Sequence, residues 1–268
     1  VIIYGKEIVA KMKQSIKEEA AKKSMKLVVI QVGDDKTSEA YIRGIKKFAD
    51  EAEVELEILN LPEQSSENEL KDVITKLNND NSVTGIMIQT PLPKQLDINN
   101  LIDYVEKDVE GINNINLGKL ISKEDGIKPS TPKAVIRMLK EHNVDLQGKK
   151  VTIIGRSKIL GHPLAVMMTN ENATVTLCHS RTKNIEDEIR NADIIVAALG
   201  QANFITADMV REDAVIIDAG INFVDGKMCG DVDEAAKNKA AMASAVPGGV
   251  GGITVAELFD NLRVLSEQ

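Results

Sequence analysis

Residues 151–163 read VTIIGRSKILGHP, and this stretch restricts the possible folds more than any other. An apolar run, 151–154, stops at Gly155, passes through Arg156 and Ser157, and restarts at Gly161 and Pro163 as a helix. A strand that ends on Gly and resumes as a helix points bare backbone N–H groups above the turn, which suits an anion. The spacing G-x-S-x-x-x-G is one residue longer than the usual dinucleotide fingerprint and carries Ser at its second glycine. Spacing alone also fits a βα turn with no ligand. Arg156 shifts the reading, because a guanidinium beside such a turn suits a 2′-phosphate and so favours NADP over NAD.

The rest of the chain alternates apolar runs with amphipathic patterns, which indicates an α/β fold with parallel strands. Helices are expected over 6–23, 38–52, 67–79, 161–170, 184–191 and 254–265, and another starting at Ser130-Thr131-Pro132. Strands are expected over 27–32, 54–59, 83–89, 151–154, 174–178, 194–198 and 215–218. Gly33-Asp34-Asp35 reads as a turn, 94–128 as a less regular polar stretch, and 223–242 as a polar linker that is helical in part. Pro247-Gly248-Gly249-Val250-Gly251-Gly252 reads as a shaped loop before the last helix. A domain break is placed near Ser130, with the last helix returning to the first domain.

The 268 residues suffice for one large or two modest cores, filled by aliphatic residues and Met, since there are three Tyr, four Phe and no Trp. A net charge of −8 argues against a nucleic-acid surface and against polybasic membrane docking, so no nucleic-acid or membrane partner is expected. No run approaches the roughly 18 apolar residues of a membrane span. Cys178 and Cys229 stand far apart, and His142, His162 and His179 lack ligand spacing, so no metal is expected. No leader is read, and a reducing cytoplasm is the expected location.

Ligands of open parallel sheets collect beyond the carboxyl ends of the strands. Besides Gly155-Arg156-Ser157, candidates there are Cys178-His179-Ser180-Arg181-Thr182, Asp218-Ala219-Gly220-Ile221-Asn222, and Gln89 ahead of Pro91 and Pro93. Each also has a bland reading: a polar loop, a turn-capping Asp, a Gln bonded to nearby backbone. Ser38-x-x-Tyr41 places a Tyr able to stack on a flat heterocycle, although a lone Tyr on an amphipathic helix is more often a boundary residue. Lys107-Asp108-Val109-Glu110-Gly111 is an acidic turn whose Glu110 could read an amino-pyrimidine edge.

These motifs, taken in order, resemble the methylenetetrahydrofolate dehydrogenase/methenyltetrahydrofolate cyclohydrolase family across essentially the whole chain. The matching segments are Gly5-Lys6, VGDxxxSxxY ending at Tyr41, GIMIQTPLP from Gly85, KDVEGINNINLGKL from Lys107 and STPKA from Ser130. IIGRSKILGHP from Ile153, CHSRT from Cys178, ADIIVAALG from Ala192, IDAGIN from Ile217, GDVD from Gly230 and VPGGVGGIT from Val246 complete the series. The resemblance implies an N-terminal catalytic domain, 1–129, completed by 250–268, facing across a cleft a Rossmann-type doubly wound domain, 130–249. It implies NADP, a homodimer and tetrahydrofolate substrates. Tyr41, Gln89 and Glu110 would be the catalytic residues, with Tyr41 packed over the pterin and Gln89 in the cyclohydrolase hydrogen-bond network, and Ser38, Pro91, Leu92 and Pro93 would also bind the substrate. Pro247, Gly248 and Gly249 would border the nicotinamide. Gly155, Arg156, Ser157, Gly161, His179, Ser180, Arg181, Gly200 and Ile221 would hold the nucleotide, with Arg156 and Ser180 on its 2′-phosphate.

Three positions depart from the family pattern. S-x-x-Y-x-x-x-K ends here on Ile45 in place of the Lys that serves the cyclohydrolase step, and Lys46 is rotated about 100° from that position on a helix. Glu110 replaces Asp, and the last loop reads GGIT in place of GPMT. Lys46 could substitute only if the helix is overwound or shifted, so the expectation is a dehydrogenase whose cyclohydrolase activity is weak or absent. The alternatives are a decayed nucleotide- or folate-binding paralogue and another NADP-linked dehydrogenase of shikimate type.

Overall fold

The computed structural model describes residues 1–34 and 38–268, so the Asp35 end of the expected turn lies outside the described residues. In chain order the elements are β1 (Ile2–Ile3), α1 (Lys6–Ala20), β2 (Lys26–Val32), α2 (Glu39–Ala52), β3 (Glu55–Leu61) and α3 (Glu67–Asn78). β4 (Gly85–Ile88), α4 (Ile98–Leu101), α5 (Asn114–Ser122), α6 (Ser130–Glu141), β5 (Lys150–Ile154) and α7 (Gly161–Asn170) follow. The chain continues through β6 (Thr174–Cys178), α8 (Ile185–Arg190), β7 (Ile194–Ala197), β8 (Val215–Asp218), β9 (Asn222–Val224) and β10 (Lys227–Cys229). α9 (Glu234–Lys239), β11 (Met242–Ser244) and α10 (Val250–Ser266) end it.

Two compact units result, one of Val1–Val9 with Thr131–Thr254, the other of Ala10–Ser130 with Val255–Gln268. The first holds a parallel sheet in the order β1-β11-β8-β7-β5-β6. Ile2 and Ile3 pair with Ala243 and Ser244, so residues 1–9 belong with this sheet and not with 10–129 as expected. The central strands β7 (IIVA) and β8 (VIID) run as near-continuous apolar stretches, as strands covered on both faces do. Ile154, Ile195, Ala197 and Ile216 form a core with Ile189 of α8 and Ala236 of α9, all fully buried.

The second unit has a three-stranded parallel sheet, β3-β2-β4. Leu27, Val28, Val29 and Ile30 of the central strand are inaccessible to solvent. Each such side chain contributes about 1.5–3 kcal/mol of burial. α3 starts on a capping box, in which Ser66 Oγ accepts from Glu69 N and the Glu69 carboxylate accepts from Ser66 N at 2.7 Å. α2 buries Ile42, Ile45, Phe48, Ala49 and Ala52, one stripe at helical spacing. The end of α10 closes this core. Phe259 stacks on Phe48 with ring centroids 4.7 Å apart, and Asn261 Nδ2 donates to Val109 O and Lys128 O, each at 2.9 Å. The Cβ that Gly85 lacks would stand 2.7 Å from Leu262, so β4 takes no larger residue there.

Several elements differ from the sequence reading. α10 begins at Val250, which puts Gly251 and Gly252 inside its first turn and not in a loop. α5 lies within 94–128, where a less regular stretch is expected, and 223–242, helical in part as expected through α9, also holds most of the β9–β10 hairpin and the first residue of β11. Among the described residues, no helix is long and apolar enough to cross a membrane.

Candidate functional site

In the first unit a cavity of about 580 Å³ opens at the carboxyl ends of β5, β6 and β7. Its walls include Gly155, Arg156, Ser157, His179 and Ser180, five of the nine residues expected at a nucleotide. Gly155 has φ +123°, and a Cβ there would sit 2.2 Å from Ala198 O. A Cβ on Gly161 would lie 1.9 Å from Gly155 O. Both glycines are therefore required for the backbone to close this turn. Ser157 Oγ accepts from Leu160 N at 3.2 Å, which ties the turn to the start of α7. Arg156 and Ser180 are exposed, with side chains available to a ligand.

The remaining nucleotide candidates lie elsewhere. Gly161 acts through packing, and Arg181 donates its N–H to His179 Nδ1 at 3.2 Å. Gly200 directs its N–H to Asp231, and Ile221 is exposed outside the cavity wall. Thr182, named within the Cys178–Thr182 candidate, also lies on that wall, whereas the sequence reading does not single out Ala198, Leu199 or Gln201 there. The signal was present in the strand-end rule, since 198–201 follows β7 directly.

In the second unit, Tyr41, Gln89 and Glu110 come from α2, the end of β4 and the turn that follows an isolated bridge of Ile86 with Asp108. Asp108 organises that turn. It is buried, and it accepts N–H bonds from Glu110 (3.1 Å), Gly111 (3.0 Å) and Asn113 (2.8 Å) and another from Asn116 Nδ2 (3.0 Å). Burial pushes its carboxyl up from the ordinary range, while these bonds oppose the shift. The Glu110 carboxyl is pushed up to about 8, by burial first and by the neighbouring Asp108 charge second, against one bond from the Ile88 N–H. Tyr41 is half-buried, and burial and the Glu110 charge both raise its phenol.

Gln89 Nε2 donates to Thr90 O at 2.6 Å, but its buried Oε1 has no hydrogen-bond partner among the described residues. A buried unsatisfied carbonyl costs about 1–3 kcal/mol, so a ligand donor would stabilise this group. Ile45 lies one turn beyond Tyr41 on α2 with no solvent exposure, whereas Lys46 is exposed. Ser38 is buried at the start of the same helix; Pro91 is exposed, and Leu92 and Pro93 are half-buried.

Pro247, Gly248 and Gly249 belong to the first unit, in the turn before α10. Gly5 N donates to Gly248 O at 2.8 Å, and a Cβ on Gly5 would meet Gly249 O at 2.5 Å. The Gly5-Lys6 motif is thus part of the support of that turn.

Two family models match the chain. "Tetrahydrofolate dehydrogenase/cyclohydrolase, catalytic domain" covers residues 3–110, and "Tetrahydrofolate dehydrogenase/cyclohydrolase, NAD(P)-binding domain" covers 129–268. The bifunctional protein FolD 2 of Syntrophomonas wolfei is 57% identical, over 100% of this chain and 99% of the relative. The crystal structure of the bifunctional FolD methylenetetrahydrofolate dehydrogenase/cyclohydrolase of Campylobacter jejuni is similar at TM-score 0.97 and 37% identity, over 100% of this chain and 98% of that one. The FolD enzyme of Trypanosoma brucei, solved in complex with NADP and an inhibitor, matches at TM-score 0.94 and 30% identity, over 100% and 97% of the two chains. The chain belongs to the tetrahydrofolate dehydrogenase/cyclohydrolase family.

Proposed function

We propose that this chain oxidises 5,10-methylenetetrahydrofolate to 5,10-methenyltetrahydrofolate with NADP, and that its cyclohydrolase step is weak or absent. The dehydrogenase half rests on the family and on the cavity above Gly155, whose volume of about 580 Å³ lies within the range of small-molecule sites. The residues there fit a dinucleotide phosphate. Gly155 and Gly161 leave no room for a Cβ, the turn faces a helix start, and Arg156 and Ser180 stand exposed on the cavity wall.

NADP, when bound, supplies the nicotinamide that accepts a hydride. The work of the protein is alignment. Arg156 and Ser180 would hold the 2′-phosphate, the glycine turn would take the pyrophosphate on backbone N–H groups, and His179 would flank the ribose. Tyr41 would pack over the pterin, Glu110 would accept from its amino-pyrimidine edge, and Gln89 Oε1 would gain the donor it lacks. As the C–H electron pair leaves the methylene carbon, the folate nitrogens release electrons into a C=N⁺ bond, so no protein base is needed.

Hydration of the methenyl cation is different, because the attacking water must lose a proton. Ile45 offers no group for this, and the neighbouring Lys46 is exposed. Glu110 and Tyr41 have raised proton affinities, and the Glu110 charge acts on the Tyr41 phenol. The reading extends to a cytoplasmic homodimer that feeds one-carbon units toward purine biosynthesis, supported by family membership.

The test is a pair of assays. NADP reduction with methylenetetrahydrofolate, run beside NAD, is expected to be rapid with NADP. The absorbance decay of methenyltetrahydrofolate with enzyme is expected to lag far behind. A hydrolysis rate equal to the dehydrogenase rate would refute the second half of the proposal.

A further inference from the structure

One carboxylate outside the cavity wall governs the loop that forms part of that wall. Asp231 is fully buried, and its two oxygens take four donors. Leu199 N and Gly200 N reach Oδ2 at 2.6 and 3.0 Å, and Gln201 N and Asn222 Nδ2 each reach Oδ1 at 2.9 Å. Three consecutive N–H groups converging on one point form a concavity that attracts an anion, and here the protein supplies its own. Because each peptide unit is planar and trans, the carbonyls of Ala198, Leu199 and Gly200 are directed away from Asp231. Ala198 O packs against Gly155, and Ala198, Leu199 and Gln201 line the cavity.

A second aspartate fixes the first. Asp218 accepts from Gly220 N (3.1 Å), Asp231 N (3.0 Å) and Val232 N (3.2 Å), and its Oδ2 pairs with the buried Lys237 at 3.0 Å. The two carboxylates occupy each other's glycine gaps. A Cβ on Gly230 would stand 1.8 Å from Asp218 Oδ2, and one on Gly220 would stand 2.3 Å from the Asp231 carboxyl. This packing leaves Asp231 a single position.

We propose that Asp231 is a positioning residue for the nucleotide. It holds residues 198–201 so that the cavity receives carbonyl acceptors, suited to hydroxyl donors of a bound nucleotide, while the N–H donors are turned inward and already satisfied. The proposal rests on the reading of the cavity as the NADP site. Charge is essential to this role, because an amide in place of the carboxylate would set an NH₂ against at least one of the four donors.

Isothermal titration with NADP tests the inference on the parent, Asp231→Asn and Asn222→Ala. Asn222→Ala removes one half-buried amide and no core group, so it keeps a folded comparison available if Asp231→Asn does not fold. Asp231→Asn is expected to weaken NADP binding about 10- to 100-fold and Asn222→Ala about 2- to 5-fold, at unchanged stoichiometry. KM for methylenetetrahydrofolate should stay constant in both. A merely structural role would lower the stoichiometry and kcat together and leave the dissociation constant intact, which would overturn the proposal. Unchanged NADP affinity in folded Asn222→Ala, with Asp231→Asn either unfolded or equally tight, would also overturn it. Failure of the parent itself to bind NADP would instead remove the reading of the cavity.

Discussion

In the unit built on β5 to β8 the form of the candidate ligand surface is set by backbone. Gly155 and Gly161 shape its floor, Asp231 orients residues 199–201, and Arg156, His179 and Ser180 stand on the wall around that backbone. In the unit built on β2 to β4 the candidate surface is made of side chains, namely Tyr41, Gln89 and Glu110, beside an inert Ile45. The contrast shows what each kind of site tolerates. A backbone site is defined by atoms that every residue has, so substitution damages it through added bulk. A side-chain site changes its chemistry with one codon and leaves the fold in place.

The sharpest way to break this comparison is Ile45→Lys. Restoring a proton-handling group is expected to raise methenyltetrahydrofolate hydrolysis by about 10²–10⁴-fold, followed by absorbance decay. The variant should also melt earlier, since Ile45 is fully buried and an ammonium there is poorly solvated. No gain in a folded variant would show that Ile45 is not what limits hydrolysis. On the backbone side, Gly155→Ala and Gly161→Ala each drive a Cβ to within 2.2 Å of a carbonyl oxygen. Each should lose roughly 2–4 kcal/mol of stability and at least about 100-fold in NADP affinity, read by thermal melting and titration.

Arg156→Ala separates the two materials within one site. Loss of a charge-assisted contact of about 1.5–3 kcal/mol predicts a rise of roughly 10- to 100-fold in KM for NADP, with KM for NAD unchanged. Equal losses with both nucleotides would place Arg156 on the pyrophosphate and not on the 2′-phosphate. The smallest effect concerns Glu110, whose carboxyl is raised from 4.5 to about 8. The folded chain then holds a proton that the unfolded chain releases, so this group lowers stability as pH rises from about 4.5 to 8. Glu110→Gln is expected to melt at a higher temperature than the parent at pH 8.5 and to lose that advantage near pH 4.5. An advantage independent of pH would show that the carboxyl does not titrate in this window.

How far the sequence revealed these features depended on the range of the interactions. The glycine turn was legible because its constraint is local: Gly155, Arg156 and Gly161 fall within seven residues. The Asp231 loop was not, because its donors at 199–201 and 222 reach the carboxylate only after β7 and β8 have paired. α5 escapes the sequence reading for a local reason. Its Gly118 lowers helix propensity, which outweighs in a sequence reading the start signal of Asn113, whose side chain accepts from Asn116 N at 2.8 Å. The start of α10 was placed four residues late because Gly251 and Gly252 each cost a helix about 1 kcal/mol. Burial of Ile253, Ala256, Leu258 and Phe259 outweighs that local preference. Ile45 was visible by spacing, but only the fold shows it on the buried stripe of α2.

The partition of the chain has a consequence for its birth on the ribosome. Residues 255–268 complete the core of the unit that starts at Ala10, through Phe259 on Phe48 and Asn261 on the carbonyls of Val109 and Lys128. During translation that core therefore waits, with Phe48 lacking its stacking partner, until every later strand has been made. A nascent chain halted before Val255 would expose apolar surface to chaperones and proteases for as long as the pause lasts.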